Sequence, residues 1–211
     1  MIRNLIFDFG KVLVDFDFIA FFRRIIPDEE RLWAFAPVLY NDDLPQALDR
    51  EERPFDEIMQ EVTERNPEYE HEIRTFCRLY PDIVTGEVPG MRDLLTRLKA
   101  EGFRLYGLTN WCSKVHITMK QYGIFQLLDG SIISSEEHLI KPEPAIYQRL
   151  FDKYSLKPEE CLFTDDKSEN IEGARQLGMD GIVFSNAEQY ERELRRILKE
   201  KKDHNRMNYK E

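Results

Sequence analysis

Four short stretches hold the side chains that could do chemistry: Asp8-Phe9-Gly10, Thr109-Asn110, Lys141-Pro142-Glu143 and Phe163-Thr164-Asp165-Asp166. An aspartate where an apolar run ends is an ordinary turn residue when taken alone. Three carboxylates brought together are less ordinary, because they repel one another unless a cation neutralises them. Oxygen ligands without imidazole or thiolate suit Mg2+, which keeps some waters and can share a substrate phosphate. The bland alternative for Asp165-Asp166 is a helix N-terminus, where negative charge is favoured by roughly 0.3–1 kcal/mol. Lys141 could serve a carboxylate and a phosphate oxygen together as a point charge, although most lysines are simply solvated. Thr109 and Asn110 could donate hydrogen bonds to phosphate oxygens and are equally common in turns.

These stretches do chemistry only if the chain brings them to one place. Leu5-Ile6-Phe7 is a short continuous apolar run ended by Asp and Gly, which predicts a buried parallel strand finishing in a loop. From Pro89 onward, strand and helix patterns alternate. Met91, Leu94, Leu95 and Leu98 recur at helical spacing, and Gly102 sits where that helix would stop. Strands are expected at Phe103–Leu108, Ser131–Ile133, Cys161–Thr164 and Gly181–Phe184, with helices between them. Ser185 and Glu188 resemble a capping box before a last helix carrying Tyr190, Leu194 and Ile197. Such alternation predicts an α/β fold with a Rossmann-like parallel sheet, whose ligands gather at the carboxyl ends of the strands. Asp8, Thr109-Asn110 and Asp165-Asp166 all fall at such ends.

Residues 16–87 read differently. No strand pattern is evident there, while Phe18, Phe21, Phe22, Ile25 and Ile26, and later Phe55, Ile58, Met59 and Val62, suit amphipathic helices. Pro27, Pro45, Pro54, Pro67 and Pro81 divide the stretch into short pieces. The expected organisation is a core of residues 1–15 and 88–200, an inserted all-helical cap over 16–87, and a polar, disordered tail over 201–211. A plain helical layer with no role in the site is the competing reading of the insertion.

Together the four stretches, in this order, resemble the motifs of the haloacid dehalogenase-like superfamily, and the resemblance covers nearly the whole chain, helical cap included. It implies that Asp8 attacks phosphorus to form an aspartyl-phosphate. It also implies that Mg2+ is held by Asp8, the Gly10 carbonyl and Asp166, with Asp165 as a ligand or support. Thr109 and the Asn110 region would hold the phosphoryl group and Lys141 would neutralise it.

One position departs from the pattern. Most phosphatases of the superfamily carry a second Asp two residues after the nucleophile, which protonates the leaving group; this chain has Gly10. A subgroup resembling α-D-glucose 1-phosphate phosphatases has a similar Asp-x-Gly start, with likenesses at Asp15 and Asp17, Ile146-Tyr147-Gln148 and Asn170–Ala174, and a sugar phosphate is the favoured substrate. Asp15 as the substitute acid competes with a solvated or capping Asp15. A 2-haloacid dehalogenase, attacking carbon with the same Asp, is the alternative; such enzymes need no metal and typically carry Ser-Asn where this chain has Asp165-Asp166. A catalytically weak protein that binds a phosphorylated metabolite as a regulator is the third reading.

Bulk properties narrow the setting. A net charge of −10 over 211 residues opposes non-specific nucleic-acid binding. No run approaches the roughly 18 apolar residues of a membrane span, and the opening MIRNLIFDF is unlike a secretory signal. Three scattered cysteines, Cys77, Cys112 and Cys161, suggest neither a disulfide framework nor, with four histidines, a zinc site. A cytoplasmic enzyme acting on a small phosphorylated substrate is the expectation. Oligomeric state leaves no mark in the sequence.

Overall fold

The chain's first strand, β1 (Asn4–Phe7), is completely buried and lies at the centre of a five-stranded sheet. β4 (Arg104–Thr109) and β6 (Cys161–Asp165) flank it, with β5 (Gly130–Ile133) and β7 (Asp180–Val183) at the edges. Every pairing in this sheet is parallel. The computed structural model describes residues 1–40 and 43–208, with side chains through residue 203.

Burial on both faces explains why β1 is apolar at every position except Asn4, rather than alternating. Leu5 and Phe7 point to the face covered by α6 (Met91–Ala100) and α11 (Ala187–Asn208), where Leu94, Leu98, Tyr190 and Leu194 pack. Ile6 points to the other face, against Ile146, Tyr147 and Leu150 of α9 (Pro144–Tyr154) and Ile171 and Ala174 of α10 (Ser168–Gln176). Two shorter helices, α7 (Val115–Gln121) and α8 (Ser134–Glu137), follow β4 and β5.

Among its described residues the insertion holds five α-helices: α1 (Phe18–Ile25), α2 (Glu29–Leu39), α3 (Leu44–Arg50), α4 (Phe55–Arg65) and α5 (Glu70–Leu79). Phe21, Phe22, Phe35 and Phe76 form its aromatic centre, with Phe22 stacked on Phe76 and edge-on to Phe35. Pro45 sits in the first turn of α3, and Pro54 immediately precedes α4.

Three expectations need correcting. The insertion is not strand-free at its ends: β2 (Val14–Phe16) and β3 (Val84–Glu87) pair antiparallel as a separate ribbon at the base of the cap. Neither strand is long or regular enough to register as a pattern, and the partners lie some seventy residues apart. The last helix is capped by Asn186, whose Oδ1 accepts from the Gln189 amide at 2.8 Å, while the Gln189 side chain accepts from the Ser185 amide. The capping box is therefore one residue later than Ser185 and Glu188 suggest. The tail expected to be disordered continues α11 as far as Asn208, and residues 209–211 lie outside those described, as do residues 41–42 of the insertion. No described helix is long and apolar enough to cross a membrane, and the three cysteines are free.

Candidate active site

Parallel pairing places Asp8, Thr109 and Asp165 at the carboxyl ends of three adjacent strands. The Asp8 amide donates to the Thr164 carbonyl at 2.9 Å, so the ladder between β1 and β6 carries one residue past the strand and fixes where Asp8 leaves it.

Lys141 comes from the loop between α8 and α9, immediately before a cis Lys141–Pro142 bond. Its ammonium is buried and lies 2.9 Å from Asp8 Oδ1 and 2.7 Å from Asp165 Oδ2. The third donor position reaches the Leu108 carbonyl at 3.0 Å. Asp165 is fully buried and accepts from the Asn170 side chain on both oxygens and from the Lys167 amide. The resemblance named Asn170 without a role; its work here is to hold Asp165.

The second stretch divides its labour in an unforeseen way. Asn110 Nδ2 donates to the Lys141 carbonyl at 3.1 Å and its Oδ1 accepts from the Lys141 amide at 2.8 Å. The Asn110 amide thus clamps the Lys141 backbone and is occupied. Thr109 Oγ1 is buried and has no hydrogen-bond partner, an arrangement that costs free energy unless a ligand completes it.

The electrostatics follow from burial. Desolvation pushes the Asp8 carboxyl up to about 6; Lys141 pulls it down and Asp165 adds to the rise. Burial works against a charged Lys141, but Asp8 and Asp165 outweigh it and hold its pKa above the ordinary value. Asp166, which is more accessible, is raised by burial and by Asp165. Oxygens of Asp8, Asp165 and Asp166 lie within 4.8 Å of one another, against one buried ammonium. This surplus of hard oxygen donors fits a divalent cation.

A cavity of about 220 Å3 opens above this cluster, lined by Asp8, Gly10, Asn110, Lys141, Asp166 and Asn170 from the core. Phe16, Phe18, Tyr80 and Ile83 line it from the ribbon and cap, with Trp111 from the core rim. The cap is therefore part of the site rather than a remote layer. A second cavity of about 220 Å3 runs into the cap between Phe18, Phe22, Leu39, Leu48, Phe76 and Tyr80.

Two residues change standing. Asp15 is half exposed, bonded to Lys11 Nζ at 2.5 Å, and absent from the cavity; Asp17 caps α1 through the Ala20 amide. The solvated reading of Asp15 is the one the geometry favours. Asp49, which the sequence did not single out, lines both cavities. Desolvation pushes its carboxyl up to about 7 against the pull of Lys167 and Lys141, and Asp8 adds to the rise. Nothing in LDREERP distinguishes Asp49 from its acidic neighbours; only the docking of α3 does.

Comparison with known proteins agrees with this geometry. The chain is 29% identical over 105 residues to flavin mononucleotide hydrolase 1 of Arabidopsis thaliana, covering 50% of this chain and 43% of that protein. It is 30% identical over 105 residues to the glyceraldehyde 3-phosphate phosphatase of Pyrococcus furiosus, covering 46% and 42%. The chain thus spans less than half the length of these curated relatives. A solved variant of a HAD family enzyme from Bacteroides thetaiotaomicron, in complex with magnesium and inorganic phosphate, shares the fold with a TM-score of 0.70 and 19% identity, over 89% of this chain and 96% of that one. The haloacid dehalogenase-like hydrolase family model matches residues 2–178. With its motifs at adjacent strand ends and its helical cap over them, this chain belongs to the haloacid dehalogenase-like hydrolases.

Proposed function

We propose that the protein is a Mg2+-dependent phosphatase of a small phosphorylated metabolite, working through an aspartyl-phosphate on Asp8. The observation that carries the reading is the buried Lys141 ammonium bridging Asp8 and Asp165 beside the freer Asp166, beneath a cavity closed by the cap. A phosphoryl group entering there meets a carboxylate nucleophile and an ammonium, with the buried, unpartnered Thr109 hydroxyl at the end of the neighbouring strand β4.

In this reading Asp8 supplies the attacking oxygen, and positioning plus electrostatic stabilisation supply most of the rate. Lys141 holds Asp8 in place and neutralises charge on the phosphoryl oxygens. Thr109 donates its hydroxyl, and Asn110 keeps Lys141 fixed through its backbone. Asp165 orients Lys141; Asp8, the Gly10 carbonyl and Asp166 would hold the metal. When bound, the ion adds positive charge that offsets the phosphate's own. The motif likeness makes sugar phosphates the first substrate class, with relatives named for phosphorylated small molecules as further support. The acidic pair at 165–166 speaks against a metal-free dehalogenase. Three free thiols suit the cytoplasm.

The test is a panel of sugar phosphates and p-nitrophenyl phosphate assayed with Mg2+, with EDTA, and with Asp8→Asn. Turnover that needs both Mg2+ and Asp8 supports the reading. Halide release from a 2-haloacid in EDTA would establish the dehalogenase instead, and saturable metabolite binding without turnover the regulator.

A further inference from the structure

The leaving-group proton needs a source other than residue 10, since Gly10 stands where the family's usual second acid would be. We propose that Asp49, on the cap helix α3, is the acid and base of this active site, placed where the organic part of the substrate joins its phosphate. The inference rests on the phosphatase reading.

Three residues line both cavities: Phe18, Asp49 and Tyr80. The lower cavity holds Asp8 and Lys141, where phosphorus would sit. The upper one is walled by Phe22, Leu39, Leu48 and Phe76, where an organic group would sit. The oxygen that links the two parts of a monoester therefore falls at their junction. Of the three residues there, only Asp49 carries a carboxyl. Tyr80 is partly buried, and desolvation holds its hydroxyl well above the ordinary range.

Among the described residues no hydrogen bond or ion pair occupies the Asp49 carboxyl, whereas Asp165 is saturated and Asp15 is tied to Lys11. Its raised pKa, given above, keeps a proton available near neutrality.

A cap residue can act on chemistry in the core only if its helix is held in register. The end of α3 is bolted to both motif loops. Ser134 Oγ donates to the Asp49 carbonyl at 2.6 Å and accepts from the Trp111 amide at 2.9 Å. Arg50 pairs with Glu143, next to the cis proline, and His138 Nδ1 lies 2.9 Å from the Arg50 carbonyl. Glu51, in a left-handed conformation with φ 46°, takes the amide and hydroxyl of Ser113 on its two oxygens. Side chains rarely adopt that conformation, and here two bonds to the Glu51 carboxylate hold it.

An Asp8 oxygen bonds to phosphorus as the bond to the leaving oxygen breaks, and the departing alkoxide takes the Asp49 proton. Asp49, now a carboxylate, removes a proton from the water that attacks phosphorus. The bond to Asp8 breaks, phosphate leaves, and both aspartates regain their starting states.

The experiment compares Asp49→Asn with wild type on benzyl phosphate, whose leaving alkoxide needs a proton, and p-nitrophenyl phosphate, whose phenolate does not. On benzyl phosphate kcat/KM should fall about 100-fold or more. On p-nitrophenyl phosphate it should stay within about threefold, with a burst of one p-nitrophenolate per site before slow turnover, since the second step still lacks its base. Asp49→Glu, which keeps the carboxyl, should restore much of the benzyl phosphate activity. Equal losses on both substrates in Asn and Glu variants alike, or no loss in Asp49→Asn, would overturn the assignment while leaving the phosphatase intact. A wild type inactive on both esters would instead sink the phosphatase reading, and this one with it.

Discussion

The ring of Phe16 lies directly over Gly10, so that a methyl group on Gly10 would sit 2.8 Å from Phe16 Cε1. The space in which a second aspartate would stand is thus taken by an aromatic side chain from β2. Phe16 also meets Phe18 and Trp111 edge-on, which ties the exchange of Asp for Gly to the aromatic lining of the cavity.

Replacing Gly10 by Asp should therefore cost about 1–3 kcal/mol through overpacking. The same change in a Phe16→Ala background should cost clearly less. Urea denaturation of the four proteins in a double-mutant cycle measures the difference. Equal costs in both backgrounds would mean that Phe16 is not what fills the space.

Lys141→Met should abolish turnover and also lower stability by about 3–5 kcal/mol, because it strands two buried carboxylates, Asp8 and Asp165. Adding Asp8→Asn to that variant should recover part of the loss. Denaturation in EDTA reads both effects.

Asp8 and Asp49 both contribute to the pH dependence of the metal-free protein. Both folded pKa values are raised, Asp8 from 3.8 to about 6 and Asp49 from 3.8 to about 7. The native state then holds more protons than the unfolded one between those limits, so these two groups' contribution is complete below about pH 4. It falls away as pH rises through 6 for Asp8 and 7 for Asp49. The stability of wild type relative to Asp8→Asn, measured in EDTA, isolates Asp8 and should accordingly decline between about pH 4 and about pH 6 and level off above that, and Mg2+ should reverse the decline. A flat difference would contradict the assignment of Asp8 as a desolvated carboxyl.

Ser134→Ala removes the bridge between the Trp111 amide and the Asp49 carbonyl. Leaving that buried amide unpaired should cost about 1–3 kcal/mol. Hydrogen exchange should speed up at Asp49–Glu51 more than in α9 or α10, since α3 loses an anchor and the core helices do not.

Much of this was legible in the order of residues. The apolar run before Asp8, the alternation after Pro89 and the placement of Asp165-Asp166 after Cys161–Thr164 specify a parallel sheet with acids at its edge, because strands buried on both faces must be apolar throughout. The helical character of residues 18–79 followed from spacing and prolines, again a local property. Hidden from it were the pairing of β2 with β3, the occupation of Asn110 by the Lys141 backbone, and the whole of Asp49's role. Each depends on residues dozens of positions apart: Asp15 opposite Gly86, Asn110 against Lys141, Asp49 against Ser134. A carboxylate's local sequence says what it can donate or accept, and its surroundings decide whether it is solvated, saturated or poised. Asp15, Asp165 and Asp49 are the same chemical group, and only the desolvation and partners imposed by packing set them apart.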